Sequence, residues 1–137
     1  MRSTNQVVEL LKTAYKRNNN IIITGDFNYK DIDWRNDFTP IGQHHLHNFI
    51  ETLKECYLYQ HVTEPTRYRE NETPNLLDLI ISNEEGMIHD LEYLPSLGES
   101  DHVCLSFKVL ASKTLSKKTT EYNVYKTNYN AVKSAVI

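Results

Sequence analysis

The chain has 137 residues, 39% of them hydrophobic and 24% charged, with a formal net charge of −3. This mixture excludes an intrinsically disordered chain, suits one domain with one core, and supplies no global basic field for nucleic acid. Two cysteines, Cys56 and Cys104, make neither a disulfide framework nor a zinc site, and no apolar run approaches a membrane span.

Ser3 or Thr4 caps a first helix running to about Lys16, with Val7, Val8, Leu11, Ala14 and Tyr15 on one face. An Asn-rich segment ends it. Ile21-Ile22-Ile23-Thr24 then reads as a buried strand that stops at Gly25 and is followed by Asp26-Phe27-Asn28. Residues two apart in an extended chain point the same way, so Asp26 and Asn28 are expected to face one site, with Phe27 turned into the core. A carboxylate at the mouth of an apolar strand needs a partner, and a metal ion or a phosphate-site network would supply it. An ordinary Asp/Asn turn is the plainer reading of the same residues.

Residues 29–40 read as a loop in which Asp31, Asp33 and Trp34 form turns and a surface anchor, or else a second acidic cluster. A second helix is expected over residues 41–55, with Leu46, Phe49, Ile50 and Leu53 as its apolar stripe. His44, His45 and His47 fall off that stripe. Without a His-Glu-x-x-His pattern they read as a solvated face rather than a zinc site. Residues 57–62 are expected to form a short strand. In the loop after it, an exposed Thr66-Arg67 pair suits phosphate contact through a hydroxyl and a guanidinium fork, and equally suits any surface.

Asn75-Leu76-Leu77-Asp78-Leu79-Ile80-Ile81-Ser82 is nearly continuous apolar sequence and reads as a strand buried on both faces. Asp78 inside it needs a partner, for which an imidazole is suited. Residues 84–86 make a turn and residues 87–93 another strand. Ser100-Asp101-His102 opens a last strand, in which Val103, Leu105, Phe107 and Val109 alternate with Cys104, Ser106 and Lys108. Cys104 is expected to be a small buried thiol, in a reduced intracellular setting, with the nucleus among the candidate locations. Residues 112–120, rich in Lys, Ser and Thr, read as a linker, and a helix is expected from about Asn128.

Gly25-Asp26-Phe27-Asn28, followed by Asp31-Ile32-Asp33-Trp34, Pro65-Thr66-Arg67, Leu77-Asp78-Leu79-Ile80 and Ser100-Asp101-His102, occur in an order and spacing that resemble the endonuclease/exonuclease/phosphatase superfamily of deoxyribonuclease I-like proteins. Within it the chain is most similar to the endonuclease domain of non-LTR retrotransposons. The resemblance implies an α/β fold, a four-layer α/β/β/α sandwich with mixed, mainly antiparallel sheets, of which residues 1–110 match the C-terminal half. Residues 111–137 would then lead toward a fused or lost reverse transcriptase domain.

It also implies a divalent metal, magnesium with manganese as the alternative, and hydrolysis of a phosphodiester in DNA. Carried onto this sequence, Asp26 activates the attacking water and Asn28 holds phosphate or water. His102 hydrogen-bonds the scissile phosphate and Asp78 orients the imidazole. Asp101 and Asp26 serve the metal, and Thr66 and Arg67 contact substrate. The family's metal-binding Glu has no counterpart before Asp26, so activity is expected to be impaired. The phosphoinositide phosphatases of the superfamily carry a Trp-Cys-Asp-Arg-type run where this chain has Leu76-Leu77-Asp78-Leu79. That disfavours a phosphatase, which stays the alternative together with a non-catalytic remnant that binds a partner.

Overall fold

The structure is a computed structural model that describes residues 3–17 and 19–110, and the backbone of residues 132–136. The chain begins with helix α1 (Thr4–Lys16), strand β1 (Ile21–Asp26) and helix α2 (His44–Glu55). Strands β2 (Tyr59–Gln60), β3 (Asp78–Ser82), β4 (Ile88–Leu94), β5 (Cys104–Val109) and β6 (Val132–Val136) follow. Among the described residues no helix is long and apolar enough to cross a membrane.

Helix α1 starts where the sequence places a cap. The Ser3 hydroxyl accepts from the Gln6 N–H while the Gln6 side chain accepts from the Ser3 N–H, a reciprocal capping box. Val7, Val8, Leu11 and Ala14 are buried, whereas Tyr15 is exposed, because it lies at the margin of the apolar stripe. Helix α2 begins at His44 rather than at residue 41. Gly42 has a φ of +88°, which turns the chain, and Ile41 stands fully exposed before it.

Strand β1 lies between β3 and β6 in a four-stranded sheet ordered β2-β3-β1-β6, and β4 pairs with β5 in a second sheet. Every described strand pairing is antiparallel, so the expected mixed sheet shows no parallel pair among the described residues. Side chains alternate across β1 and β3. Ile21, Ile23, Leu79 and Ile81 join α1, α2 and the rings of Phe27, Tyr29 and Phe49 in one core cluster. Ile22 and Ile80 occupy the opposite face and are also buried. The run around Asp78 is therefore covered on both sides, as its near-continuous apolar character requires.

Several expectations change in detail. The strand expected over residues 57–62 contracts to Tyr59–Gln60, since Tyr57 takes a φ of +52° as α2 ends. Cys56 is the buried thiol, and Cys104 is only half-buried on a two-stranded sheet. Residues 132–136 form strand β6 against β1, where a helix was expected from about Asn128. The linker expected over residues 112–120 lies outside the described residues.

Candidate active site

The β1–β3 register places Asp26 directly opposite Asp78, at the last residue of one strand and the first of the other. By alternation both carboxylates share the face of Ile22 and Ile80, away from the two helices. His102 reaches the pair from the segment before β5. Its Nδ1 lies 2.7 Å from Asp78 Oδ2 and its Nε2 lies 3.7 Å from Asp26 Oδ2. A carboxylate only accepts, so Nδ1 carries a proton and donates it to Asp78, leaving Nε2 on the side of Asp26. One ligand atom from each of Asp26, Asp78 and His102 lies within 4.8 Å of the others.

Local structure holds each member. Asp26 Oδ1 accepts from the Asn28 N–H at 2.9 Å, closing an Asx turn in which Asn28 takes a φ of +55°. Phe27 is buried, and its N–H donates to the Leu77 carbonyl at 2.9 Å. Asn28 is exposed beside Asp26. Its position comes from this turn and not from the extended alternation expected of it. On the histidine side, the Ser100 hydroxyl accepts from the His102 N–H at 3.1 Å.

Thr66 joins the pieces. Its hydroxyl oxygen accepts from the N–H groups of Leu77 at 3.1 Å and Asp78 at 3.0 Å, and its carbonyl accepts from the Val103 N–H at 2.8 Å. It is completely buried. This corrects the expectation of an exposed Thr66-Arg67 pair touching substrate: the Thr66 hydroxyl faces backbone, not solvent.

Arg67 is mostly buried as well. Its Nε donates to Asp101 Oδ2 at 3.2 Å and its Nη2 to Glu72 at 3.2 Å, and Arg69 Nε donates to the same Asp101 oxygen. The expected metal-site residue Asp101 is thus held by two guanidinium groups. It lies outside the Asp26–Asp78–His102 cluster, although Oδ1 is 3.8 Å from His102 Nε2. Arg69 holds the Asp101 carboxyl below its ordinary range. Neither Arg69 nor Glu72 was singled out in the sequence. The alternation of Arg67 and Arg69 in Thr66-Arg67-Tyr68-Arg69 is the signal that points two cations to one side of an extended segment.

Burial and the Asp78 carboxylate raise the Asp26 carboxyl above its ordinary value, opposed by His102, the Asn28 N–H and Arg67. The remaining candidates behave as surface and turn residues. Asp33 accepts from Arg35 and Asn36, and Asp31 accepts from Gln43. His44, His45 and His47 are exposed.

Two carboxylates and an imidazole in this arrangement suit a hard divalent cation, which binds through one or two carboxylates and keeps several waters. Asp26 has Oδ2 turned to the cluster. Asp78 has one oxygen committed to His102. The same set suits a phosphate ester, with a donor at His102 and a base at Asp26.

A family model described as endonuclease-reverse transcriptase matches residues 1–106, a span that contains every residue of this cluster. No curated protein and no solved structure matches the chain.

Proposed function

Because the chain belongs to the endonuclease-reverse transcriptase family, within a superfamily that hydrolyses phosphodiester bonds, we propose that it is a metal-dependent endonuclease that nicks DNA, of retrotransposon origin and with impaired activity. The observation that carries this reading is His102 held between Asp78 and Asp26.

In the reaction, Asp26 orients a water and takes its proton as the water oxygen attacks phosphorus. The raised carboxyl suits that task better than an ordinary aspartate would. Asn28, exposed next to it, holds the phosphate or the water through its amide. Asp78 fixes the orientation of the His102 ring through Nδ1. In its charged form the ring carries a second proton on Nε2, where it donates to a phosphate oxygen as negative charge accumulates there. The phosphorus–oxygen bond to the leaving strand breaks, and solvent protonates the departing oxygen. Magnesium, or manganese, held by Asp26 would neutralise phosphate charge. Among the described residues no glutamate joins the three-membered cluster. One Asp78 oxygen is committed to His102, which leaves Asp26 as the main ligand, so weak metal binding and slow turnover are expected.

Plasmid nicking tests this reading. Slow nicking is expected, rising with magnesium into the millimolar range and falling roughly 10²-fold or more in His102→Ala and Asp26→Ala. Folded wild-type protein that nicks at no metal concentration would point to the remnant reading. Release of phosphate from inositol phosphates in place of nicking would point to a phosphatase.

A further inference from the structure

The segment carrying Thr66 is paired on both sides. Arg67 bridges Asn75 on one side and His102 on the other, both antiparallel. Beside the second bridge, the Tyr68 N–H donates to the Asp101 carbonyl at 2.9 Å and the Val103 N–H to the Thr66 carbonyl at 2.8 Å. These bonds flank the Arg67–His102 pair and do not join it. Such a pair is the close-set kind in an antiparallel ladder, with its two side chains adjacent on one face. Arg69, two residues further along an extended segment, falls on the same side. Arg67 Nε and Arg69 Nε accordingly donate to one oxygen, Asp101 Oδ2.

The two arginines differ in what they leave free. The Arg67 side chain is 17% exposed, and its Nη2 is taken by Glu72. The Arg69 side chain is 54% exposed, and among the described residues its terminal nitrogens have no hydrogen-bond partner. An exposed ion pair adds little to stability, so the fold gains little from a second guanidinium on Asp101. What the Nε anchor does supply is a guanidinium plane fixed in advance, with the remaining N–H groups in a fork that matches phosphate oxygens. The other Asp101 oxygen, Oδ1, lies 3.8 Å from His102 Nε2, the atom assigned to the hydrolysed phosphate. The Asp101 carboxylate therefore links that atom to the Arg69 guanidinium.

We propose that Arg69 binds a backbone phosphate next to the one that is hydrolysed, so that the site selects a strand of successive phosphodiesters over an isolated phosphate ester. The proposal rests on the nucleic-acid reading above, but its test does not depend on hydrolysis. A residue that neutralises a phosphate displaces a counterion, and its loss changes the salt dependence of binding.

Binding of a short labelled DNA duplex is followed by fluorescence anisotropy over a range of salt, in excess chelator, with thermal melting as the check that each variant is folded. Arg69→Gln is expected to make the slope of log affinity against log salt shallower by about 0.9 and to weaken binding roughly tenfold at low salt. Arg69→Lys, which keeps the charge, is expected to keep the slope. Lys16→Gln, on the exposed end of α1 and away from the site face, is expected to leave it unchanged. An unchanged slope in Arg69→Gln, or an equal loss in Lys16→Gln, would overturn the proposal. Nicking by a protein whose slope does not respond to Arg69→Gln removes this contact and leaves the catalytic reading. A slope that responds without nicking does the reverse, and folded wild type that binds no DNA overturns both.

Discussion

Asp26 is the site residue that its surroundings oppose most directly. Burial and the facing Asp78 raise its carboxyl above 3.8. A carboxyl with a raised folded pKa binds its proton more tightly folded than unfolded. Its contribution to stability is complete below the unfolded value and is lost as pH rises through the folded one. At neutral pH the ionised group therefore weakens the fold. Asp26→Asn is predicted to raise Tm by a few degrees at pH 7, roughly 1 kcal/mol, with the gain shrinking as the pH falls toward 3.8. The same variant is predicted to lose activity. Thermal melts across pH check it, and a lower Tm at pH 7 would contradict it.

At this scale the sequence was informative where burial leaves few options. A charged residue inside Leu76-Leu77-Asp78-Leu79 had to find a partner, and His102 is that partner at 2.7 Å. Asn28 was placed next to Asp26 on an argument from extended geometry, whereas a left-handed backbone and an Asx turn put it there. The sequence pairs Arg67 with Thr66 and sets Asp101 beside His102, whereas the ion pairing of Arg67 and Asp101, with Arg69 and Glu72, depends on a fold that brings residues 67–72 against residue 101.

Among the elements, the joint at Thr66 decides whether the three site segments keep their spacing. One hydroxyl serves two N–H groups at the start of β3, and one carbonyl serves the segment leading into β5. Thr66→Val keeps the shape but leaves both N–H groups unsatisfied in a buried position. The predicted cost is about 1–3 kcal/mol, with a parallel loss of nicking, and Thr66→Ser restores both. Denaturant melts and nicking assays on the pair of variants check it. A Thr66→Val protein as stable and as active as wild type would show that the hydroxyl positions nothing. No feature of Thr66 in the sequence announces this role, because the bonds it makes run to residues 11 and 12 positions away. Helix α1 and strands β1 and β3 were legible because each carries its own apolar period. Strand β6 was not, because its pairing with β1 is set by contacts more than 100 residues apart in the chain.

At the scale of the fold, the two antiparallel sheets and two α-helices of the described residues place Asp26, Asp78 and the segment carrying His102 at one end of the β1–β3 pair. The family match over residues 1–106 encloses that arrangement. The account stands on these three side chains forming one cation-responsive site. The chain has six histidines, and their ring protons can be followed separately by NMR as manganese is added. The paramagnetic ion broadens the rings nearest to it. His102 is predicted to broaden first, and this response is predicted to vanish in Asp26→Asn, while the exposed His44, His45 and His47 stay sharp until higher manganese. Broadening of His44, His45 and His47 ahead of His102, or a His102 response unchanged in Asp26→Asn, would contradict the account.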